Sequence, residues 1–165
     1  MKISKRYHLR ARERKDFAQQ LSLVLKINVS QLNKKKTRTE VLELSDGHQI
    51  IAINNLPSFI IEDDILYPTL LNIDILSCLP TITVDTGAVP YICNGAHLMA
   101  PGITAFTEPF EEGDILVINE ERYHKPLAIG QSLLHSQQFE SITTGKVALN
   151  LHYVSDPLWL FLHNL

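Results

Sequence analysis

The sequence predicts an α+β protein with two parts, an N-terminal α/β domain and a C-terminal small barrel of mixed strands with a short helix. Strand and helix periodicities follow one another before position 78, whereas short strand-like runs separated by turn residues dominate after position 80. Proline at position 80 cannot continue a helix, so we place a linker at 78–80. We therefore expect two domains, 1–77 and 78–165, which is a reasonable division of 165 residues.

Charge is distributed unevenly along the chain. Residues 1–40 hold twelve of the fifteen Lys and Arg against three acidic residues, a net charge of +9, while the remainder carries −12. This asymmetry is typical of a protein whose basic part contacts a polyanion. The acidic remainder repels nucleic acid wherever it is not shielded, so we expect any such binding to be directional.

The first elements are a basic strand and an amphipathic helix. Residues 2–10 alternate in polarity, which predicts a strand with Ile3, Tyr7 and Leu9 on one face. The opposite face carries Lys2, Ser4, Arg6, His8 and Arg10. Apolar residues spaced at i, i+4, i+7 and i+8 then predict a helix over 11–27. Its buried face is expected to hold Phe17, Leu21, Val24 and Leu25.

Cations crowd the start of this helix, where the helix dipole disfavours each of them by about 0.3–1 kcal/mol. Two interpretations stay open: screened charge on a solvated face, or a basic patch for a phosphate-bearing partner. A run of lysines at 34–36 is either part of that patch or a solvated loop. The candidate phosphate contacts are Lys2, Arg6, Arg10, Arg12, Lys34, Lys35 and Lys36.

The rest of the N-terminal part predicts more strands. A hairpin is expected over 38–54, with Asp46 and Gly47 in a type I′ turn. A short strand follows around Pro57 and 59–61. Because proline is tolerated in the first turn of a helix, Pro68 is expected to start a short helix.

The C-terminal part predicts a small barrel. Asp85 and Thr86 are suited to cap a helix that continues to about Asn94, and Gly95 is suited to end it in the left-handed conformation. The expected strands lie at 82–84, 103–107, 114–119, 127–134 and 146–154.

A family resemblance begins at position 84. Residues 84–103 read VDTGAVPYICNGAHLMAPGI, which resembles the core of the PUA domain, an RNA-binding barrel of pseudouridine synthases and archaeosine transglycosylases. The resemblance continues through DILVINEERYHKPLAIGQ at 114–131 and GKVALNLHYVSDPLWLF at 145–161. Before it, LYPTL at 66–70 and the proline-containing linker resemble the junction in the malignant T-cell amplified sequence family of translation factors and its archaeal relatives. That family joins a pre-PUA α/β domain to a PUA domain.

The resemblance implies an RNA-binding groove at the strand–helix turn. Gly87 allows close approach, and free N–H groups at a helix start favour phosphate. Alternatively, Gly87, Gly95 and Gly102 serve only turns that need positive φ. Relatives often carry Lys or Arg at positions 86, 90 and 100, where this chain has none. The implied groove residues are Thr86, Gly87, Ala88, Val89, Gly95, Ala96, His97, Leu98, Met99, Pro101 and Gly102.

Catalytic, metal-binding and membrane functions are not expected. The sequence contains no HExxH, CxxC or GxSxG motif, and the adjacent Asp63 and Asp64 point apart in an extended segment. We therefore expect no catalytic residue, no metal and no cofactor. Two cysteines without a disulfide framework favour a reducing, cytoplasmic setting. The sequence contains no run of about 18 apolar residues, so no membrane span is expected.

Two functional hypotheses follow. The first is a non-catalytic RNA-binding protein of translation, whose basic N-terminal face and PUA groove contact tRNA or ribosomal RNA. Its partners would include the small ribosomal subunit or another translation factor. The second is a protein-interaction adaptor, in which the acidic PUA half docks a protein partner of the translation machinery.

Overall fold

The computed structural model describes residues 1–28, 36–107 and 109–165. Contacts divide the chain into two compact units, Met1–Cys78 and Leu79–Leu165. Each unit combines a sheet with helices, so the predicted α+β class is confirmed. Within the described ranges, no helix has the length and apolar character needed to cross a bilayer.

The first unit is built on a five-stranded antiparallel sheet whose strands are ordered as in the chain. The strands are β1 (Ile3–His8), β2 (Thr39–Leu44), β3 (Gln49–Ile53), β4 (Leu56–Glu62) and β5 (Ile65–Pro68). The helices are α1 (Ala11–Leu25) and α2 (Ile73–Leu76). The edge strand β1 is mostly exposed, whereas β2, β3 and β4 supply most of the buried sheet residues.

Helix α1 packs through the apolar stripe that the sequence predicts, with one difference. Phe17, Leu21 and Leu25 are buried, and the Phe17 ring meets Phe59 of β4 edge-on at 5.8 Å between ring centres. Val24 is 40% exposed, so its predicted burial is wrong. Ala18 is buried instead, because it lies one residue after Phe17 and three before Leu21 on the same helical face. The helix ends at Leu25, two residues earlier than predicted.

The tight turns of this sheet differ from the predicted turn types. Leu44 N donates to His48 O at 2.8 Å, and this hydrogen bond closes a loop of three residues, 45–47, between β2 and β3. Of these three residues, only Gly47 has positive φ. This arrangement matches a three-residue loop with a left-handed glycine, so the predicted type I′ turn is wrong. A type I′ turn requires positive φ at both of its central residues. Adjacent residues with positive φ occur instead at 54–55, between β3 and β4, and at 63–64, between β4 and β5.

Pro68 ends a strand and does not start a helix. The chain after it still follows β4, because Thr69 N donates to Ser58 O at 3.0 Å and Thr69 Oγ1 donates to Pro57 O at 2.8 Å. Helix α2 begins only after Asn72, whose side chain accepts a hydrogen bond from Ile75 N. The sheet contacts of the buried Thr69 therefore override the preference of proline for a first helical turn.

The second unit is a six-stranded mixed sheet, in which β6 and β9 are parallel and the other pairs are antiparallel. The strands are β6 (Thr81–Val84), β7 (Leu98–Met99), β8 (Ile103–Phe106), β9 (Ile115–Glu120), β10 (Pro126–Ser132) and β11 (Lys146–Tyr153). The helices are α3 (Val89–Ile92) and α4 (Pro157–His163). The five predicted strands are confirmed, and the sequence prediction missed β7 and α4.

The core of the second unit contains a polar pair beside its apolar cluster. His152 is fully buried in β11, and its Nδ1 lies 2.7 Å from Asp156 Oδ2. Asp156 also accepts hydrogen bonds from the backbone N–H groups of Tyr153 and Trp159, so it caps α4. One carboxylate thus joins a buried strand to the C-terminal helix. The apolar cluster of this unit includes Ile82, Val84, Leu98, Leu116, Ile118, Ala128, Phe139 and Val147.

Candidate nucleic-acid interface

A groove of about 350 Å³ lies beside the strand–helix turn that follows β6. The turn is held by Asp85, whose Oδ1 accepts from Ala88 N at 2.8 Å and whose backbone N–H donates to Gly102 O at 2.9 Å. These bonds join the turn to the segment that enters β8. The groove is lined by Asp85, Gly87, Ala88, Tyr91, Ile92, Ala96, His97, Leu98, Met99, Pro101 and Gly102.

The structure brings most of the predicted groove residues together. Eight of the eleven line this one groove, whereas Thr86, Val89 and Gly95 are not in its lining. Asp85, Tyr91 and Ile92 line it without having been predicted. A signal for Tyr91 was present in the sequence: when Val89 and Ile92 face the core at i, i+3, the intervening Tyr91 points outward. Its side chain is 70% exposed.

Of the three glycines that were predicted to need positive φ, only Gly95 has it. Gly95 has φ +86°, and a Cβ there would lie 3.0–3.2 Å from the Tyr153 ring. Gly87 and Gly102 do not have positive φ, so that explanation is wrong for both. Gly102 suits the packing instead, because a Cβ at this position would lie 3.1 Å from the Ala88 Cβ and the neighbouring atoms would have to shift. Close approach of the two walls therefore depends on the missing side chain at Gly102.

Asn150 of β11 fixes the other wall of the groove. Its backbone N–H donates to His97 Nδ1 at 3.0 Å, which places the proton of a neutral His97 on Nε2. Its side-chain amide donates to the carbonyl oxygens of Ile92 and Ala96, both at 3.0 Å. His97 is thus a positioned wall residue, and the loop after α3 is fastened to the sheet.

The groove is largely apolar. Among its described lining residues the ionisable side chains are Asp85, Tyr91 and His97, and none is a lysine or arginine. Met99 is 49% exposed and lies in the same lining as the exposed Tyr91 ring. Apolar and aromatic surface of this kind suits the flat face of a nucleobase better than it suits a phosphate.

Cations of the second unit lie on elements that adjoin those of the groove. Lys146 is opposite Met99 in the β7–β11 register. On the other side, Glu121 accepts from Thr86 N and Thr86 Oγ1, both at 3.0 Å. The turn that continues from Glu121 carries Arg122, an exposed Tyr123 and Lys125. Arg122, Lys125 and Lys146 are distant in sequence from the motif at 84–103, and the fold brings their elements next to residues of that motif.

The carboxylate of Glu120 shapes that turn. It accepts from the backbone N–H groups of Arg122 and Tyr123, both at 2.7 Å, and of Lys125 at 3.2 Å. Burial acts to raise the pKa of Glu120, but these hydrogen bonds outweigh burial and lower the pKa below its ordinary value. The turn therefore keeps its shape at neutral pH, where Glu120 is ionised.

The predicted cations of the first unit fall into three groups. Lys2, Arg10, Arg12 and Lys36 are exposed. Arg6 instead forms a two-point ion pair with Glu40 of β2, through Nε and Nη2 at 2.7 Å each. These hydrogen bonds lower the pKa of Glu40, although burial acts in the opposite direction. Arg6 is therefore held in a structural contact. Lys34 and Lys35 lie outside the described residues.

Comparison with known proteins gives two family matches that follow one another along the chain. A domain of unknown function, DUF1947, matches residues 5–74, and the PUA domain matches residues 80–154. Within the described ranges, no three His, Cys, Asp or Glu side chains are grouped so that they would hold a metal ion.

Relatives match over most of the chain. A protein of Methanocaldococcus jannaschii is 34% identical, and the alignment covers 98% of this chain and 99% of that protein. Translation machinery-associated protein 20 of Saccharomyces cerevisiae is 30% identical over 81% of this chain and 77% of its own length. A crystal structure of a hypothetical Pyrococcus horikoshii protein superimposes with a TM-score of 0.81 at 30% identity, covering 95% of this chain and 99% of that one. The chain therefore belongs to the PUA-domain family that contains translation machinery-associated protein 20, the malignant T-cell-amplified sequence proteins and archaeal relatives.

Proposed function

We propose that this protein is a non-catalytic, cytoplasmic RNA-binding factor of translation that contacts tRNA or ribosomal RNA. Exposed cations of the first unit bind phosphates, and the groove of the second unit receives an unpaired nucleotide. The small ribosomal subunit or another translation factor is the expected setting. The observation that carries the proposal is the apolar groove with its exposed Tyr91, in a PUA domain.

The shape and chemistry of the groove support a single unpaired nucleotide as its occupant. A volume of about 350 Å³ falls in the range of small-molecule sites. The Tyr91 ring and Met99 offer a surface for stacking, while the backbone near Gly87 and Gly102 offers polar groups for a base edge. Phosphates on either side of that base are then within the reach of cations on the adjoining elements, such as Lys146.

Salt dependence of RNA binding tests the electrostatic part of the proposal. Each phosphate that a cation neutralises is expected to steepen the plot of log K against log salt by about 0.7–0.9. Filter binding of tRNA or ribosomal RNA at four or more salt concentrations measures the slope. A slope near zero contradicts the proposal, because exposed cations then contribute nothing.

Exposed and ion-paired arginines are expected to behave differently when replaced. The double variant Arg10→Ala, Arg12→Ala should reduce the salt slope by about 1.4–1.8, since each exposed cation accounts for one phosphate. Arg6→Ala should mainly lower the urea midpoint of unfolding, because it leaves the buried Glu40 without its partner. Lys5→Ala is the matched control for RNA binding, because the Lys5 ammonium is already paired with Glu43 at 3.8 Å. Equal loss of RNA affinity in the control and in the double variant would refute the assignment of Arg10 and Arg12 as phosphate contacts.

A protein-interaction adaptor is the second candidate function. The observation that favours it is charge: residues 79–165 hold nine acidic and three basic side chains, and no described lining residue of the groove is a lysine or arginine. Such a surface also suits a basic protein partner. Affinity capture from native lysate, with and without nuclease, separates the two functions. Partners that remain after nuclease treatment favour the adaptor, and partners that disappear favour RNA binding.

A further inference from the structure

A second cavity, of about 560 Å³, lies entirely in the first unit. Its walls come from three places in the chain: the end of β1, the first turn of α1 and the segment that leads into β2. The end of β1 is joined to that segment because Leu9 N donates to Thr39 O at 2.9 Å. The described lining residues are His8, Leu9, Arg14, Lys36, Thr37, Arg38 and Thr39.

The cavity is strongly basic. Arg14, Lys36 and Arg38 all line it, and no described lining residue is a carboxylate. The nearest acid of the β2 strand is Glu40, whose carboxylate is held by Arg6 and lies 3.8 Å from His8 Nε2. Three cations without a described lining acid form a site whose charge attracts an anion.

The cations are held in position by the backbone around them. Arg14 Nη1 donates to the carbonyl oxygen of Thr37, which fixes its guanidinium against the cavity wall. The backbone of Arg38 is fixed twice by Asn54: Arg38 N donates to Asn54 Oδ1 at 3.0 Å, and Asn54 N donates to Arg38 O at 2.9 Å. The guanidinium of Arg14 and the backbone of Arg38 are therefore both held in place.

Two donors in the cavity lining are unsatisfied. Arg14 Nε and Thr39 Oγ1 are both buried and have no hydrogen-bond partner among the described residues. Thr39 is only 2% exposed. Buried donors without acceptors are uncommon in folded proteins, and a bound anion would supply the missing acceptors once a side-chain shift opens these two atoms to the cavity. A guanidinium, an ammonium and a hydroxyl together match the oxygens of a phosphate group.

We propose that this cavity, formed by Arg14, Lys36, Arg38 and Thr39, is a discrete phosphate-binding site. It is distinct from the exposed Lys2, Arg10 and Arg12 and from the groove of the second unit. The assignment of its natural ligand to RNA rests on the proposed function, whereas the phosphate chemistry of the cavity does not. The phosphate comes either from the end of an RNA strand or from within the strand.

The direct experiment titrates the full-length protein, labelled with 15N arginine, with inorganic phosphate at constant ionic strength maintained with chloride. We expect a saturable shift of the Arg14 Nε–H resonance. Arg38→Gln should weaken phosphate binding at least tenfold, whereas Lys5→Gln, which replaces an exposed cation paired with Glu43 outside the cavity, should change it less than twofold. An unchanged Arg14 resonance, or equal effects of the two variants, overturns the proposal.

Two further measurements identify the source and separate this site from the groove. Short RNAs with a 5′-phosphate or a 5′-hydroxyl compete with inorganic phosphate for the Arg14 signal. A preference for the 5′-phosphate indicates a strand end, and equal competition indicates internal phosphates; failure of both RNAs to compete overturns the assignment to RNA. Tyr91→Ala should leave phosphate binding unchanged, so loss of RNA binding in that variant concerns the groove alone. Urea unfolding of Arg38→Gln confirms that its fold is intact.

Discussion

Replacing Asp156 with alanine is expected to lower the free energy of unfolding of the second unit by about 3–5 kcal/mol. Asp156 is 7% exposed, and its carboxylate accepts three hydrogen bonds: from the His152 ring, from Tyr153 N at the end of β11 and from Trp159 N in the first turn of α4. Breaking a buried pair by removing one partner costs about 3–5 kcal/mol, and a lost helix cap alone costs about 1 kcal/mol. Trp159, the one tryptophan of the chain, lies in α4, so its fluorescence in urea follows this loss.

Two further variants show how much of the loss comes from the negative charge of Asp156 and how much from its buried position. Asp156→Asn keeps an acceptor for the helix cap but removes the negative charge, so its effect should be intermediate. Glu112→Ala, which removes an exposed carboxylate of the second unit, should change the free energy of unfolding by less than about 0.5 kcal/mol. A loss below about 1 kcal/mol for Asp156→Ala would show that the capping contact contributes little.

The stability of the protein should also depend on pH through Asp156. Burial acts to raise its pKa, but hydrogen bonds and charge from His152, together with the N–H groups of Trp159 and Tyr153, outweigh burial and lower it. Because the folded pKa is below the unfolded value of about 3.9, this contribution is present above pH 4 and disappears as the pH falls through the folded pKa. Unfolding curves between pH 2.5 and 7 should show a smaller acid loss in Asp156→Asn than in the unchanged protein.

Replacing Tyr91 with alanine is expected to weaken RNA binding by about 1–3 kcal/mol, roughly fivefold to 150-fold, if one base stacks on its ring. The side chain is 70% exposed and lines the groove, so its removal should affect stability by less than about 0.5 kcal/mol. Filter binding to an RNA with an unpaired end, at one fixed salt concentration, measures the difference.

The matched variants distinguish stacking from general apolar contact. Tyr91→Phe keeps the ring and should bind RNA within about threefold of the unchanged protein. Leu23→Ala removes a comparably exposed apolar side chain, 73% exposed on α1 of the first unit, and should have no effect on RNA affinity. If Tyr91→Ala binds RNA as tightly as Leu23→Ala does, the ring takes no part in recognition.

Much of the fold was predictable because local patterns dominate it. The stripe of Phe17, Leu21 and Leu25 and the β-prone runs of both sheets carry their periodicity in the sequence. The failures occur where distant contacts override local preference. Pro68 is a good helix starter, yet Thr69 continues the pairing with β4 through Ser58 and Pro57.

The candidate sites were likewise predictable only where their residues are close in sequence. The family resemblance predicted most of the groove, because the groove residues lie within one short stretch of the chain. The pairing of Arg6 with Glu40 spans 34 residues and depends on the β1–β2 register, which no local pattern reveals. The basic cavity likewise joins residues of β1, α1 and the start of β2, so only the folded sheet shows that Arg14 and Arg38 share it.

The most direct test of the central claim is a titration of the 15N-labelled protein with a short RNA that has an unpaired end, observed through its backbone amides. We expect the largest shifts in two segments that contribute to the groove lining, Gly87–Ile92 and Ala96–Gly102. Smaller shifts are expected near the cations of the first unit. Binding that leaves the amides of both groove segments unchanged would contradict the account.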